Sequence, residues 1–188
     1  MRATWVIVLI SLSFAAIADE TLWQKLQRDP HMVVLMRNAE SSGNRDGANM
    51  LVWDSSGKCI GESTLTAEGR DQAKAVGAVF AKHGVTPVVI SSPMCRCTET
   101  AQIAFGKHLT DPGLRQRPAE DVQGQEAFQA VARALLSEHR GESPIVFVNH
   151  RPNIDALTME LIDIGELLVG TITEEGEIEI LGKIRLQH

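Results

Sequence analysis

Basic side chains stand at or shortly after the ends of three apolar segments of the chain, where they could bind an anion. The segments and the residues that follow them are 31–36 with Arg37, 88–91 with Arg96, and 145–148 with His150. Ligands of open α/β sheets bind at the carboxyl ends of the strands, so we expect these side chains at one edge of a sheet. Guanidinium groups bind phosphate oxygens in a bidentate manner, and an imidazole can donate to a further oxygen. The three positions therefore predict a site for a dianion such as phosphate.

Strands and helices that would position these residues alternate along the chain. Apolar runs predict buried strands at 31–36, 88–91 and 145–148. Apolar spacing and capping residues predict helices at 66–84, 95–105, 126–139 and 152–161. We expect loops at 37–63 and 109–124, and a C-terminal hairpin or edge strands at 167–173 and 178–184. The alternation predicts an α/β fold, a three-layer α/β/α sandwich with a mostly parallel sheet and helices on both faces.

The first 18 residues have the order of a secretory signal peptide. Arg2 precedes an apolar run over residues 5–14, and the small residues Ala16-Ile17-Ala18 follow. Cleavage after Ala18 would leave one domain, residues 19–188. A membrane anchor is the alternative, but the apolar run is shorter than the roughly 20 residues that span a bilayer. We therefore expect a secreted protein with no membrane insertion after cleavage.

The net charge of the chain argues against some classes of binding partner. The chain of 188 residues has 18 basic and 24 acidic side chains, a net charge of −6, and no Lys/Arg run. This balance argues against nucleic acid or an anionic membrane as a partner, so positive charge that serves binding must be local. The sequence also lacks metal-ligand spacings and glycine-rich nucleotide-binding strings, so we expect no metal and no cofactor.

The three cysteines are predicted to form one disulfide and to leave one thiol. Cys95 and Cys97 are too close in sequence to pair comfortably on a regular helix, so Cys59 is expected to pair with one of them. Disulfides persist in the oxidising compartment to which the leader would send the chain. Three free buried thiols remain the alternative, because free cysteine is among the most buried residue types.

Four segments resemble the motifs of the histidine phosphatase superfamily, which includes the phosphoglycerate mutases. That family carries Arg-His-Gly after its first strand, then Leu-Thr-x-x-Gly-x-x-Gln-Ala, Ser-Ser-Pro-x-x-Arg-x-x-x-Thr-Ala and a second histidine after a later strand. The corresponding segments here are Arg37-Asn38-Ala39-Glu40, residues 65–73, residues 91–101 and His150. Their order and spacing match over residues 33 to about 155. The resemblance implies a phosphoglycerate mutase-like fold.

The resemblance also implies roles for individual residues. Arg37, Arg96, His150 and Asn44 would bind phosphate, and Asn38 falls where the family has its nucleophilic histidine. In the family, that histidine forms a phosphohistidine and passes the phosphoryl group to water. A carboxylic acid protonates the leaving oxygen, and Glu120 and Asp121 are the candidates here. The other interpretation of these two carboxylates is a solvated loop pair.

Asn38 changes the expected chemistry, because a carboxamide has no basic nitrogen lone pair and cannot become phosphorylated like a histidine. We therefore expect a protein that binds phosphate or a phosphomonoester, with weak or absent hydrolysis. The alternatives are an active phosphomonoesterase on an envelope phosphosugar and a non-catalytic interaction module that keeps only the fold. The leader, the small size and the C-terminal segment also resemble the secreted branch that includes lipopolysaccharide core heptose phosphatases, which implies a bacterial periplasmic location.

Overall fold

A computed structural model describes residues 11–43 and 50–186, with the side chains of residues 19–43 and 50–186. The helices are α1 Ser11–Arg28, α2 Ala67–Lys82, α3 Cys95–Phe105, α4 Val122–Glu138 and α5 Arg151–Thr158, with a 3-10 helix at Pro112–Leu114. The strands are β1 Met32–Arg37, β2 Val88–Ser91, β3 Leu109–Thr110, β4 Ile145–Asn149, β5 Glu166–Ile172 and β6 Ile178–Arg185.

The strands form one sheet in the order β3-β2-β4-β1-β5-β6. The pairs β3-β2, β2-β4 and β4-β1 are parallel, whereas β5 is antiparallel to both β1 and β6. Parallel neighbours need crossover connections, which the helices supply. The predicted α/β fold with a mostly parallel sheet is therefore confirmed.

Strand β1 shows why the fold has three layers. Val34 and Met36 belong to the apolar core formed with α1, α2 and α3. Val33 and Leu35 point the other way and pack with residues of α4 and α5. Because alternate side chains of a strand point to opposite faces, a strand covered by helices on both sides must be apolar throughout. The unbroken apolar run in the sequence is the consequence of this double burial.

Helix α1 packs over the sheet through its second half. Leu22, Trp23 and Leu26 are buried, and the Trp23 ring lies parallel to the His83 ring and edge-on to Phe80. The predicted leader, residues 1–18, falls partly on residues 1–10, which lie outside the described part of the chain. The leader and its cleavage after Ala18 stay predictions. Within the described residues, none of the helices combines the length and the hydrophobicity needed to cross a membrane.

The predicted loop at 109–124 contains more structure than its composition indicates. It includes strand β3, the 3-10 helix and the first turn of α4, which begins at Val122 rather than at Glu126. The Asp121 carboxylate accepts a hydrogen bond from the Gly124 N–H and so caps α4. The predicted start was wrong because glycine and β-branched valine favour helix weakly, whereas an aspartate cap compensates for them.

The end of α5 and the two edges of the sheet also differ from the sequence predictions. Helix α5 ends at Thr158, because Met159 adopts a left-handed backbone conformation with φ of 56°. Strands β5 and β6 are antiparallel neighbours, which confirms the predicted C-terminal hairpin, but β5 lies inside the sheet between β1 and β6, so only β6 is an edge strand. The opposite edge is the two-residue strand β3, which was predicted as loop because so short a segment has no detectable periodicity.

Candidate active site

The carboxyl ends of β1, β4 and β2 lie side by side. Arg37 pairs in register with Asn149, and the next N–H, that of Asn38, donates to the Asn149 carbonyl at 3.1 Å. On the other side of β4, the Ser92 N–H donates to the Val148 carbonyl at 3.0 Å. The segments that follow the three strands therefore begin at one edge of the sheet, as the sequence predicted.

Hydrogen bonds through Thr100 connect the first turn of α3 to Ala39, the residue after Asn38. The Thr100 Oγ1 accepts a hydrogen bond from the Ala39 N–H at 3.0 Å and donates one to the Arg96 carbonyl at 2.7 Å. Ala39, Arg96 and Thr100 are all buried, so water does not compete for these bonds. The relay places the first turn of α3, with Arg96, against the end of β1.

Arg96 is a buried cation with one side of its guanidinium group occupied by the protein. Its Nη2 donates to the Met50 carbonyl at 2.9 Å and to Gln116 Oε1 at 2.8 Å, and it lies 3.8 Å from the Met94 sulfur. Its Nε and Nη1 are buried and have no hydrogen-bond partner among the described residues. Burial lowers the pKa of Arg96, while the charge of Glu62 opposes that effect. The Nε and Nη1 groups are charged donors, and each could give one hydrogen bond to an oxyanion.

Arg37 and Asn38 occupy the end of β1. The Arg37 side chain is 17% exposed, and its Nη1 lies 3.9 Å from a carboxylate oxygen of Asp163, whose side chain is 82% exposed. The Asn38 side chain is buried and its Nδ2 donates to the Ala39 carbonyl at 2.9 Å. An ion pair with a solvent-exposed carboxylate at this distance is weak. The contact with Asp163 therefore neutralises little of the Arg37 charge.

The His150 side chain is buried, and one nitrogen of its ring has a polar contact. Its Nε2 is 2.8 Å from the Ser92 Oγ, and the Cys97 sulfur lies 3.6 Å from Nδ1 and 3.7 Å from Nε2. Burial lowers the pKa of His150 well below its usual value, and the positive charges of Arg96 and Arg37 lower it further. The imidazole is therefore neutral near pH 7 and lies within the electrostatic reach of both arginines.

The lowered pKa of His150 predicts a loss of stability in acid. The unfolded chain protonates this histidine near pH 6.5 whereas the folded ligand-free protein does not, so the unfolded state binds more protons below that pH. The free energy of unfolding should fall by up to about 1.4 kcal/mol for each pH unit below about 6.5. Urea unfolding at pH 5.0, 6.0 and 7.5 measures this slope. His150→Gln should reduce the slope, and an identical slope in the variant would contradict the assignment.

A disulfide ties the loop that follows β1 to the first turn of α3. Cys59 is bonded to Cys95, the residue before Arg96, which confirms the predicted pairing of Cys59 with one of the other two. Cys97 is the free thiol, and burial raises its pKa to about 12. The Glu62 carboxylate strengthens the tie by accepting from the Cys95 N–H at 2.8 Å. The disulfide and the Glu62 hydrogen bond thus hold the loop after β1 next to the helix turn that carries Arg96.

The remaining sequence-predicted residues are the candidate acids and Asn44. Asp121 caps α4 and its carboxylate lies 3.7 Å from Arg117, while Glu120 is exposed beside it. The capping contact gives Asp121 a structural role, and a general-acid role for either carboxylate stays a prediction. Asn44 lies outside the described residues. Within the described residues, no group of three or more His, Cys, Asp or Glu side chains could hold a metal ion.

Three contributors to the site were not identified from the sequence. Ser92 contacts His150, Gln116 orients Arg96, and Glu62 joins the loop to α3. Ser92 could have been found, because it directly follows β2 at the same sheet edge as the predicted residues. Gln116 and Glu62 lie in irregular segments whose spatial position no local pattern encodes.

Several solved structures share this architecture. The histidine phosphatase SixA complexed with tungstate has a TM-score of 0.57 at 15% identity, with 82% of this chain and 96% of that chain covered. The product of open reading frame Rv3214 from Mycobacterium tuberculosis has a TM-score of 0.61 at 20% identity, covering 83% and 97%. Phosphoserine phosphatase in complex with 3-phosphoglyceric acid from Entamoeba histolytica has a TM-score of 0.58 at 17% identity, covering 83% and 98%. These likenesses show a shared fold.

The family assignment comes from the sequence itself. Comparison with curated proteins gave no significant match. The model of the histidine phosphatase superfamily (branch 1), however, matches residues 33–134, more than half of the chain. That span runs from β1 through the Arg96 helix into α4. The chain therefore belongs to the histidine phosphatase superfamily.

Proposed function

We propose that the protein binds phosphate or a phosphomonoester at the edge formed by Arg37, Arg96 and His150, and hydrolyses it slowly or not at all. The observation that carries the proposal is the buried Arg96 guanidinium, whose Nε and Nη1 have no partner among the described residues. A buried ion costs several kcal/mol unless an opposite charge and hydrogen bonds compensate it. Its guanidinium has no carboxylate within 4.0 Å in the described part of the chain, so a bound anion is the natural partner.

The geometry favours a tetrahedral oxyanion over other anions. The Nε and Nη1 groups of Arg96 can each donate to an oxygen, and Arg37 stands at the end of β1, beside β4. His150 is neutral and can donate from one ring nitrogen. The structurally similar SixA was solved with tungstate, another tetrahedral oxyanion. Phosphate is the biological ligand with this shape and charge.

Asn38 is the reason to expect binding without efficient turnover. It stands directly after Arg37, where the family's motif has the histidine that attacks phosphorus. Its carboxamide lacks a basic lone pair, and its Nδ2 already donates to the Ala39 carbonyl. The side chain can contribute a hydrogen-bonding surface but no nucleophilic nitrogen. The covalent route of the family is therefore closed at this position.

Restoring a histidine is the direct test. Asn38→His should raise p-nitrophenyl phosphate hydrolysis by at least about a hundredfold, because it supplies the missing nucleophile of a two-step transfer. Phosphate release is measured under steady-state conditions, and isothermal titration measures the affinity for inorganic phosphate in both forms. Asn38→Gln is the matched control and should bind phosphate with no gain in turnover. Equal turnover by the unmodified protein and by Asn38→His would contradict the proposal.

We further propose that the protein acts outside the cytoplasm, as the secreted heptose phosphatase branch does. Its N-terminal residues have the pattern of a signal peptide, and Cys59–Cys95 is a bond that persists in oxidising compartments. Among the residues whose side chains the structure describes, the first buried apolar one is Leu22, which lies after the predicted cleavage point. The N-terminal sequence of the exported protein, starting at Asp19 if the proposal holds, tests this.

Two other functions remain to be separated from phosphate binding. An active phosphomonoesterase on an envelope phosphosugar would need another nucleophile, and trapping of phosphate on His150 would reveal it. A pure interaction module would bind no phosphate, which titration with inorganic phosphate detects. The unpartnered Nε and Nη1 donors of Arg96 favour phosphate binding over an interaction module.

A further inference from the structure

Two chain segments meet on one side of the Arg96 guanidinium. Its Nη2 donates both to the Met50 carbonyl and to Gln116 Oε1, at 2.9 and 2.8 Å. The segments after β1 and after β3 therefore both lie against the proposed phosphate site. Trp53 and Arg115 lie three residues and one residue along the chain from these two contacts.

Trp53 and Arg115 join these two segments. The Arg115 guanidinium carbon lies 5.0 Å from the centre of the Trp53 ring, a cation–π contact. Both side chains are half-buried, so the pair is partly accessible to solvent. The contact orients the Arg115 side chain, whose N–H groups have no hydrogen-bond acceptor among the described residues.

The chain segment that contains Trp53 is connected to α3 by hydrogen bonds and by a disulfide. Glu62 accepts from the Asp54 N–H at 2.7 Å and from the Cys95 N–H at 2.8 Å, so it connects the Trp53 segment to α3. The disulfide adds a covalent link to the same turn of α3. A subsite on this support would be preorganised, which reduces the entropic cost of binding.

The charge around Arg115 is positive although the whole chain is acidic. Burial lowers the pKa of Arg115, the nearby charge of Arg117 lowers it further, and Asp121 is the carboxylate that opposes this. Asp121 lies 3.7 Å from Arg117, and Arg115 has no carboxylate within 4.0 Å among the described residues. One carboxylate thus faces two arginines, which leaves an excess positive charge beside the site.

We propose that Trp53 and Arg115 form a subsite for the leaving group, which selects phosphomonoesters whose organic part carries a second anionic group. The inference rests on the proposed function, because it takes the phosphate to be held at Arg96. A carboxylate or a second phosphate on the substrate would bind the Arg115 guanidinium, while the Trp53 ring keeps that guanidinium in place.

Matched open-chain ligands test the proposal by isothermal titration. Glucitol 6-phosphate has one anionic group, whereas 6-phosphogluconate and glucitol 1,6-bisphosphate add a carboxylate or a phosphate at the far end. Both two-anion ligands should bind about tenfold to 150-fold more tightly than glucitol 6-phosphate, the range expected for one charge-assisted contact. Equal affinity for all three ligands would overturn the proposal.

Variants separate this subsite from the phosphate site. Arg115→Gln should abolish the preference for two-anion ligands and change the affinity for inorganic phosphate by less than about twofold, and Trp53→Leu should weaken the preference. Arg133→Gln, which removes an arginine paired with Glu177, is the control and should keep the preference. Phosphate binding with an unchanged preference in Arg115→Gln overturns the subsite alone. Absence of phosphate binding in the unmodified protein overturns the proposed function and the subsite together.

Discussion

Arg96→Met is expected to eliminate phosphate binding while leaving the ligand-free fold about as stable as before. The variant removes the two unpartnered donors Nε and Nη1, and the loss of charged hydrogen bonds should weaken phosphate binding at least about a hundredfold. The unpartnered buried charge disappears at the same time, which offsets the lost hydrogen bonds to Met50 and Gln116. Replacing buried ions by apolar side chains of similar size is often neutral or stabilising.

Thermal unfolding with and without phosphate measures both effects. At a phosphate concentration about 100 times the dissociation constant, binding should stabilise the unmodified protein by about 2.7 kcal/mol, or roughly 5–10 °C in Tm. The Tm of Arg96→Met should not respond to phosphate. Arg70→Met is the control, because Arg70 is a 45% exposed arginine on α2 that pairs with Glu99. A phosphate response in Arg96→Met equal to that of this control would contradict the proposed site.

Opening the Cys59–Cys95 bond should both destabilise the protein and weaken ligand binding. The cysteines are 36 residues apart, and closing a loop of that length restricts the unfolded chain by roughly 3–4 kcal/mol in the entropic account of disulfides. The Tm of a Cys59→Ser/Cys95→Ser variant should therefore fall by about 10 °C. Phosphate affinity should fall as well, because the bond holds the Met50 segment next to Arg96.

A reducing agent distinguishes the effect of breaking the disulfide from other effects of the two serine substitutions. Dithiothreitol should lower the Tm of the unmodified protein and leave that of the double serine variant unchanged. Cys97→Ala keeps the disulfide and should stay sensitive to reductant. Mass spectrometry after thiol blocking should show one modified cysteine before reduction and three after it. A reductant-insensitive Tm in the unmodified protein would show that the bond contributes nothing to stability.

The sequence was sufficient for the buried strands, for the helices that follow them and for the strand ends. Strands β1, β2 and β4 are buried on both faces, so their apolar runs were visible without any structure. Because parallel strands end at one edge, the residues after these runs could be assigned to one site. Thr66, which caps α2 through the Gly69 N–H, was likewise encoded locally. Regular elements and their immediate ends follow from short-range patterns.

The contacts that tune the site could not be predicted in this way. Gln116 and Met50 contact Arg96 across sequence separations of 20 and 46 residues. Both lie in irregular segments, where no periodicity restricts which side chain faces which neighbour. The first turn of α4 was missed for a related reason, since Asp121 acts as a cap only once the Gly124 N–H is in place. Long-range contacts between loops depend on the assembled fold.

Trp23 and Trp53 lie in very different surroundings, which gives the protein two distinct fluorescence reporters. Trp23 is 3% exposed and stacks against His83 between α1 and α2, so its emission reports on the core. Trp53 lies under the Arg115 guanidinium beside the proposed site, so its emission is sensitive to charge placed there. With Trp23 replaced by phenylalanine, residues 19–186 contain a single tryptophan, at the position where an incoming ligand would arrive. Ligand binding at the proposed site then becomes observable by fluorescence in an unlabelled molecule, without the core signal of Trp23.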